Sequence, residues 1–261
     1  MSTSAVASPK IQYVVELQHS GLDVRLLLNN IEIASAGVAD RAITQQKVNG
    51  WLLGGANELA LYAAIPDPSH IQGPLDLKCL LFRGAHGRQP DEEEALAKFA
   101  ERDKAKLPAG ALQQVWKTSF PADPFYGPWL WSSAPVITLD SGTVQAALRI
   151  VSSVIDALNA RNVQKLIDLF RVQIDENAAA YGMKVERIEQ QLRGWAESWT
   201  AAPPRTILPD EYSLVVEGEQ RLLRIQRKDG HSVFSTNPTA SAPGLSRIYA
   251  ARLARGLAIV R

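Results

Sequence analysis

The sequence predicts an α+β protein: an N-terminal β-sandwich, then a C-terminal cone of helices packed on a curved antiparallel sheet. Three observations carry that expectation. Residues 11–87 are short alternating apolar runs punctuated by Asn-Asn, Gly-Gly and Pro. Residues 140–199 carry apolar residues at three- and four-residue steps. Residues 211–261 return to short runs split by tight-turn dipeptides. Period 2 marks half-buried strands, period 3.6 amphipathic helices, and strands following helices in blocks give an α+β order.

Ile11, Tyr13, Val15 and Leu17 alternate with polar residues and start the first strand. Val24–Leu28 and Ile31–Ala34 follow, split by Asn29-Asn30, which tolerate turn geometry. Gly54-Gly55 permits positive φ, and Asn57 can bond its own backbone in the bend before Leu59, Leu61 and Ala63. Leu75–Phe82 adds another strand. Asp91 is placed to cap a helix, with Glu92–Glu94 in its first turn and Lys98, Arg102, Lys104 and Lys106 toward its end, the charge order that complements a helix dipole. Four prolines and five aromatics between Phe120 and Pro135 exclude a regular helix and predict an extended strap with packed rings.

Asp140 and Ser141 offer caps to a helix marked by Val144, Leu148, Val151, Ile155 and Leu158. Residues 159–162 break it, Val163–Phe170 form a second amphipathic stretch, and Val185, Ile188, Leu192, Trp195 and Trp199 mark the face of a third. Strands are expected at 211–217, 221–227, 232–235, 246–251 and 256–261. The domains read as 1–88, a connector at 89–139, and 140–261.

Val24 to Leu61, with its Val48-Asn-Gly-Trp-Leu-Leu-Gly-Gly-Ala-Asn57 core, resembles the jelly-roll β-sandwich modules of bacterial proteins, which imply binding or packing. Residues 141–261, closing on Ile248-Tyr-Ala-Ala-Arg-Leu-Ala-Arg-Gly-Leu-Ala-Ile-Val-Arg261, resemble the nuclear-transport-factor-2-like (NTF2-like) fold. That resemblance implies a curved sheet wrapped around a helix to form a cone-shaped pocket. It also makes a homodimer through the open sheet the assembly to expect.

Composition narrows the chemistry. A net charge of +1 supplies no global field for nucleic acid or an anionic membrane. The single cysteine, Cys79, excludes an intramolecular disulfide and, lying in an apolar run, reads as a buried thiol. No apolar run approaches the roughly 18 residues of a membrane helix, and the first ten residues lack a secretory core, so a cytoplasmic location is expected. His19, His70, His86 and His231 form no metal-binding pair, and no nucleophile elbow or phosphate-cradling loop occurs; no metal and no cofactor is expected.

The expected function is non-catalytic: binding of a protein partner, or of a small apolar ligand in the C-terminal cone. Trp195 and Trp199, on one helical face, would line that ligand site, with Tyr212 or Tyr249 supplying a hydroxyl. The alternative is a cofactor-independent isomerase or dehydratase, using a carboxylate whose pKa an apolar pocket raises. Asp156, Asp168, Asp175 and Glu176 are the candidates, and Asp168 leads because it interrupts Leu166-Ile-Asp-Leu-Phe170. A second alternative is carbohydrate binding by the N-terminal sandwich through Trp51.

Overall fold

The computed structural model describes residues 11–37, 42–66, 75–85, 91–123, 127–199, 209–228, 233–234 and 247–261. The protein is mixed α+β; the described residues form three four-stranded antiparallel sheets and four α-helices. It divides into two units, Ala7–Pro128 and Trp129–Arg261, so the segment expected as a connector, 89–139, is shared between them.

The first unit is all β. Its strands are β1 (Ile11–Ser20), β2 (Asp23–Leu28), β3 (Ile31–Ala36), β4 (Ala42–Lys47), β5 (Gly55–Ala64), β6 (Asp76–Ala85), β7 (Ala97–Glu101) and β8 (Gln113–Ala122). They form two sheets, ordered β4-β1-β6-β7 and β3-β2-β5-β8. The period-2 pattern sets the register: Tyr13, Val15 and Leu17 of β1 and Val24, Leu26 and Leu28 of β2 are buried, while their neighbours are less so. Rings bridge the sheets, Tyr13 to Phe120 at 6.1 Å and Phe99 to Trp116 at 5.8 Å.

Three asparagines hold the turns of this unit. Asn29 and Asn30 both take positive φ, 52° and 61°, giving the two-residue hairpin between β2 and β3. Asn29 Nδ2 donates to the Trp51 carbonyl (3.0 Å) and to Asn57 Oδ1 (2.7 Å), and its Oδ1 accepts from Glu58 N–H (3.0 Å). Asn57, only 3% exposed, accepts from Leu53 N–H and donates to the Leu53 and Gly55 carbonyls. Asn49 accepts from Tyr13 N–H and donates to the Ile11 carbonyl, tying the turn before β5 to the start of β1.

The helix expected from Asp91 is not formed. Asp91 does cap, accepting from Glu93 N–H, but only the single 3-10 turn Glu92–Glu94 follows, and 97–101 is strand β7. The reason is period: Ala97, Phe99 and Glu101 lie opposite Leu81, Cys79 and Leu77 of β6. The charges that resembled dipole compensation form cross-strand pairs instead, with Glu92 bridging Lys78 and Lys98.

The second unit opens with a strap, residues 129–140, in which Trp129, Trp131, Ala134 and Ile137 are buried; the expected packing of the rings holds for both tryptophans. Asp140 caps α1 (Ser141–Asn159), accepting from Thr143 N–H at 2.7 Å. The buried stripe of α1 runs through Thr143, Ala147, Val151, Val154 and Leu158, so Val144 and Leu148 flank it rather than centre it. Asn162 caps α2 (Val163–Leu169), and α3 (Arg171–Tyr181) follows after a break at Phe170. The second amphipathic stretch is α2, and α3 is a further helix that the sequence pattern does not announce. α4 (Val185–Ser198) completes the set.

The sheet is a meander ordered β12-β11-β10-β9, built from β9 (Tyr212–Glu217), β10 (Leu222–Arg227), β11 (Arg247–Leu253) and β12 (Gly256–Ile259). Leu223, Ile225, Ile248, Ala250 and Ile259 face the helices and share one core with Val151, Leu158, Leu166, Phe170 and Ile174. Of the strand expected at 232–235, only Val233 and Phe234 lie within the described residues, and they form a turn that fills this core.

Replacing Asn57 by Ala removes its three bonds to the Leu53 and Gly55 backbone and orphans a part-buried donor on Asn29, and is expected to destabilise the first unit by about 2 kcal/mol in urea unfolding. Lys78 and Lys98 hold the Glu92 carboxyl down at about 2, against an ordinary value of 4.5. A depressed carboxyl pKa contributes stability that is complete above the ordinary value and lost as pH falls through the folded one. The melting temperatures of the wild type and Glu92→Gln should therefore differ at neutral pH in low salt and converge as pH falls from 4.5 to about 2. A gap independent of pH contradicts the assignment.

Candidate functional site

α3 and α4 lie side by side, joined at one end by an ion pair from Arg171 to Glu189 (2.8 Å). Between them runs a groove of about 210 Å³. Phe170 and Ile174, both buried, form its floor, and Ile188, Leu192 and Trp195, all half-buried, line it from α4. Their positions at steps of three and four put them on one face of the helix. The side-chain amides of Gln173, Asn177 and Gln191 stand at the rim, each offering both a donor and an acceptor.

Trp195 is fixed by an aromatic cluster. Its ring meets Phe170 edge-on at 6.1 Å, Phe234 at 5.8 Å and Trp199 at 6.4 Å. Trp199 is steadied in turn by its Nε1–H, which donates to Asn159 Oδ1 at the end of α1 (3.1 Å). The wall of the groove is thus pre-set, which lowers the entropy lost when something enters it.

The tryptophans expected to line a ligand site do stand together, but only Trp195 reaches the groove. Tyr212 lies in the core, its hydroxyl donating to the Val233 carbonyl at 3.1 Å. Tyr249 pairs with Arg224 in the sheet, whereas the core-facing residues of β11 are Ile248 and Ala250. Two positions so placed in a strand face opposite sides of the sheet, so neither tyrosine hydroxyl serves the groove. Phe170 and Phe234 meet edge-on at 6.3 Å in the core shared by helices and sheet.

Asp168 is exposed and accepts from Gln164 Nε2 one helical turn away (3.0 Å), so it lacks the desolvation that the base reading requires. The carboxylate of that group that is buried is Glu176. Burial raises its pKa, opposed by the neighbouring Arg261 and by the Leu130 N–H. Both its oxygens are engaged: Oε1 accepts from Leu130 N–H (2.5 Å) and Oε2 from Arg261 Nη1 (2.6 Å). Arg261 also lies over the Trp129 ring at 5.1 Å. Glu176 is therefore an anchor, pinning α3 to the strap and to the residue beyond β12.

The remaining candidates are inert in their surroundings. Trp51 is buried and offers no ring face to a sugar. Burial pushes the Cys79 thiol up to about 12, which leaves no thiolate at neutral pH. His19 is buried and its pKa is lowered, by burial first; His70, His86 and His231 lie outside the described residues. Among the described residues, no group of three or more His, Cys, Asp or Glu converges, and no helix is long and apolar enough to cross a membrane.

Comparison with protein families, curated proteins and solved structures returns no match. The groove and its chemistry are accordingly the basis on which function is assigned.

Replacing Glu176 by Gln keeps the acceptor for Leu130 but leaves the Arg261 charge buried without its counter-charge. Breaking one side of a buried pair typically costs several kcal/mol. The second unit is expected to lose about 3 kcal/mol in urea unfolding, and a loss within about 0.5 kcal/mol, the size of an ordinary surface substitution, contradicts the anchoring role.

Proposed function

We propose that this protein is a non-catalytic interaction protein whose C-terminal unit seats a large apolar side chain of a protein partner in the α3–α4 groove. The observation that carries this reading is size combined with lining. At about 210 Å³ the groove is smaller than the roughly 300–1,000 Å³ of sites for drug-sized ligands, and it suits one bulky side chain better than a free molecule. An apolar floor with an aromatic wall matches the buried anchor of a protein interface, and the amide rim matches its polar border. Gln173, Asn177 and Gln191 would bond the partner's backbone on either side of that anchor.

In fold terms, we read the two N-terminal sheets as a β-sandwich, supported by the ring contacts between them. We read the C-terminal unit as an NTF2-like arrangement, supported by four helices sharing one face of an antiparallel meander. In this reading, side chains fill the cone and recognition has moved to the helices. The exposed Asp168 gives no support to an isomerase or dehydratase.

The test uses Gln191→Trp, which closes the groove from an exposed rim position without touching the core. Wild-type and variant chains are compared as baits in extract from the source cells, alongside native mass spectrometry of each. The expected outcome is a protein bound by the wild type and lost from the variant at equal loading. Identical partner sets overturn the proposal. A small-molecule adduct carried by the wild type and absent from the variant overturns it in favour of a ligand site.

A further inference from the structure

The first unit holds a second and larger concavity, a cleft of about 430 Å³ between the last strands of its two sheets. β7 closes one sheet and β8 the other, so each pairs on one side only among the described strands. Phe99 and Glu101 line the cleft from β7, Gln113 and Gln114 from β8, and Lys106 from the turn between them. Its volume falls within the range of small-molecule sites.

We propose that this cleft binds a neutral, hydroxyl-rich ligand of the saccharide class. The first ground is charge. The only ionised side chains in the lining are Glu101 and Lys106, of opposite sign and 3.7 Å apart, so the cleft offers an ionic ligand no net attraction. Glu101 Oε1 is held by the Arg102 and Asp103 N–H groups at 3.0 Å, which leaves Oε2 facing Lys106 across a gap too long for a hydrogen bond. A hydroxyl both donates and accepts, and so serves the carboxylate and the ammonium together.

The second ground is the pairing of ring and amide. Phe99 is half-buried and backed by Trp116, their rings nearly parallel at 29°. This fixes an apolar plate against which the C–H face of a sugar ring can lie. Gln113, exposed and opposite Ala63, brings a carboxamide to the cleft, whereas the Gln114 carboxamide oxygen accepts from the Tyr62 hydroxyl at 3.3 Å. A ring beside an amide matches a ligand that alternates apolar faces with hydroxyls.

An extended peptide adding as a strand is the competing occupant of a cleft between two sheet edges, and these edges are built against it. β7 carries Lys98 bound to Glu92, and β8 carries Lys117 bound to Glu58 at 2.6 Å. The β5–β8 register also slips, with Leu61 opposite Trp116 but Tyr62 opposite Gln114, so Val115 is the extra residue of a bulge. Edge lysines and bulges are the devices that block strand addition.

The full chain is to be tested on an array of neutral, sulfated and sialylated glycans, then titrated calorimetrically with the neutral oligosaccharide giving the strongest signal. Neutral glycans are expected to bind, and both Phe99→Ala and Gln113→Ala to weaken binding about tenfold or more, the equivalent of one good hydrogen bond or ring contact. Gln113 is exposed, so its variant keeps the test valid if loss of Phe99 disturbs the fold. An array without hits, binding confined to charged glycans, or an affinity unchanged in Gln113→Ala each overturns the proposal. Because this cleft lies in the first unit, its outcome is independent of the Gln191→Trp comparison.

Discussion

A polar group taken out of water must find a partner, and both units are organised around the side chains that meet this requirement. In the first unit neutral side chains do this for the turns, alongside the buried Glu32 carboxylate paired with Arg25 at 2.7 Å. Asn29, Asn49 and Asn57 bond backbone groups of Ile11, Tyr13, Trp51, Leu53, Gly55 and Glu58, so that hairpin, turn and bend lock one another. In the second unit the partners are charged. Glu176 and Arg261 join α3, the strap and the segment after β12 at one point, while Arg221 donates to the Ala134 carbonyl and the Gln220 carbonyl accepts from Ile137 N–H to hold the rest of the strap. A carboxamide tolerates burial at lower cost than an ion pair, whose desolvation offsets most of its attraction. The ion pair therefore contributes more to position than to net stability.

This division explains where the groove lies. Glu176 fixes one side of α3 while Phe170, Ile174 and Asn177 look toward α4. The Arg171–Glu189 pair ties the two helices near the same place, and the aromatic cluster holds Trp195 against Phe170 and Phe234. The same core is closely packed, with the buried Phe234 meeting Phe170 edge-on at 6.3 Å.

Much of this was legible in the sequence wherever local chemistry and global fold agree. Asn29-Asn30 tolerate positive φ and take it, Asp140 caps α1, Asn162 caps α2, and Gly218-Glu-Gln closes the β9–β10 hairpin. Asp91 followed by three glutamates is a helix-start signal, but Ala97, Phe99 and Glu101 pair with β6, and Lys78 and Lys98 then take Glu92 as their partner. These lysines sit on another strand or beyond the turn and leave no local trace. α3 was hidden for a different reason. It buries Ile174, Glu176, Ala178 and Ala180, which do not fall in one apolar stripe, so it carries no amphipathic period. Its buried residue of greatest consequence, Glu176, is charged, and hydropathy places such a residue outside. Asp168 interrupts an apolar run, yet helical spacing turns it to solvent. The β7–β8 cleft has no signal at all along the chain, because it arises from two sheets ending side by side.

Amides border both concavities, Gln173, Asn177 and Gln191 around the helical groove and Gln113 at the β7–β8 cleft, where the charges of Glu101 and Lys106 oppose each other. With a net charge of +1, the chain has no strong field to draw a partner from a distance. Recognition built this way rests on contacts made after encounter, namely the fit of an apolar group against a fixed ring and the pairing of carboxamides that would otherwise remain solvated. Discrimination then resides in how long a complex lasts more than in how fast it forms. That is why rigidity behind the rings, supplied by Phe234 and Trp199 in one unit and by Trp116 in the other, matters as much to these sites as the residues a ligand would touch.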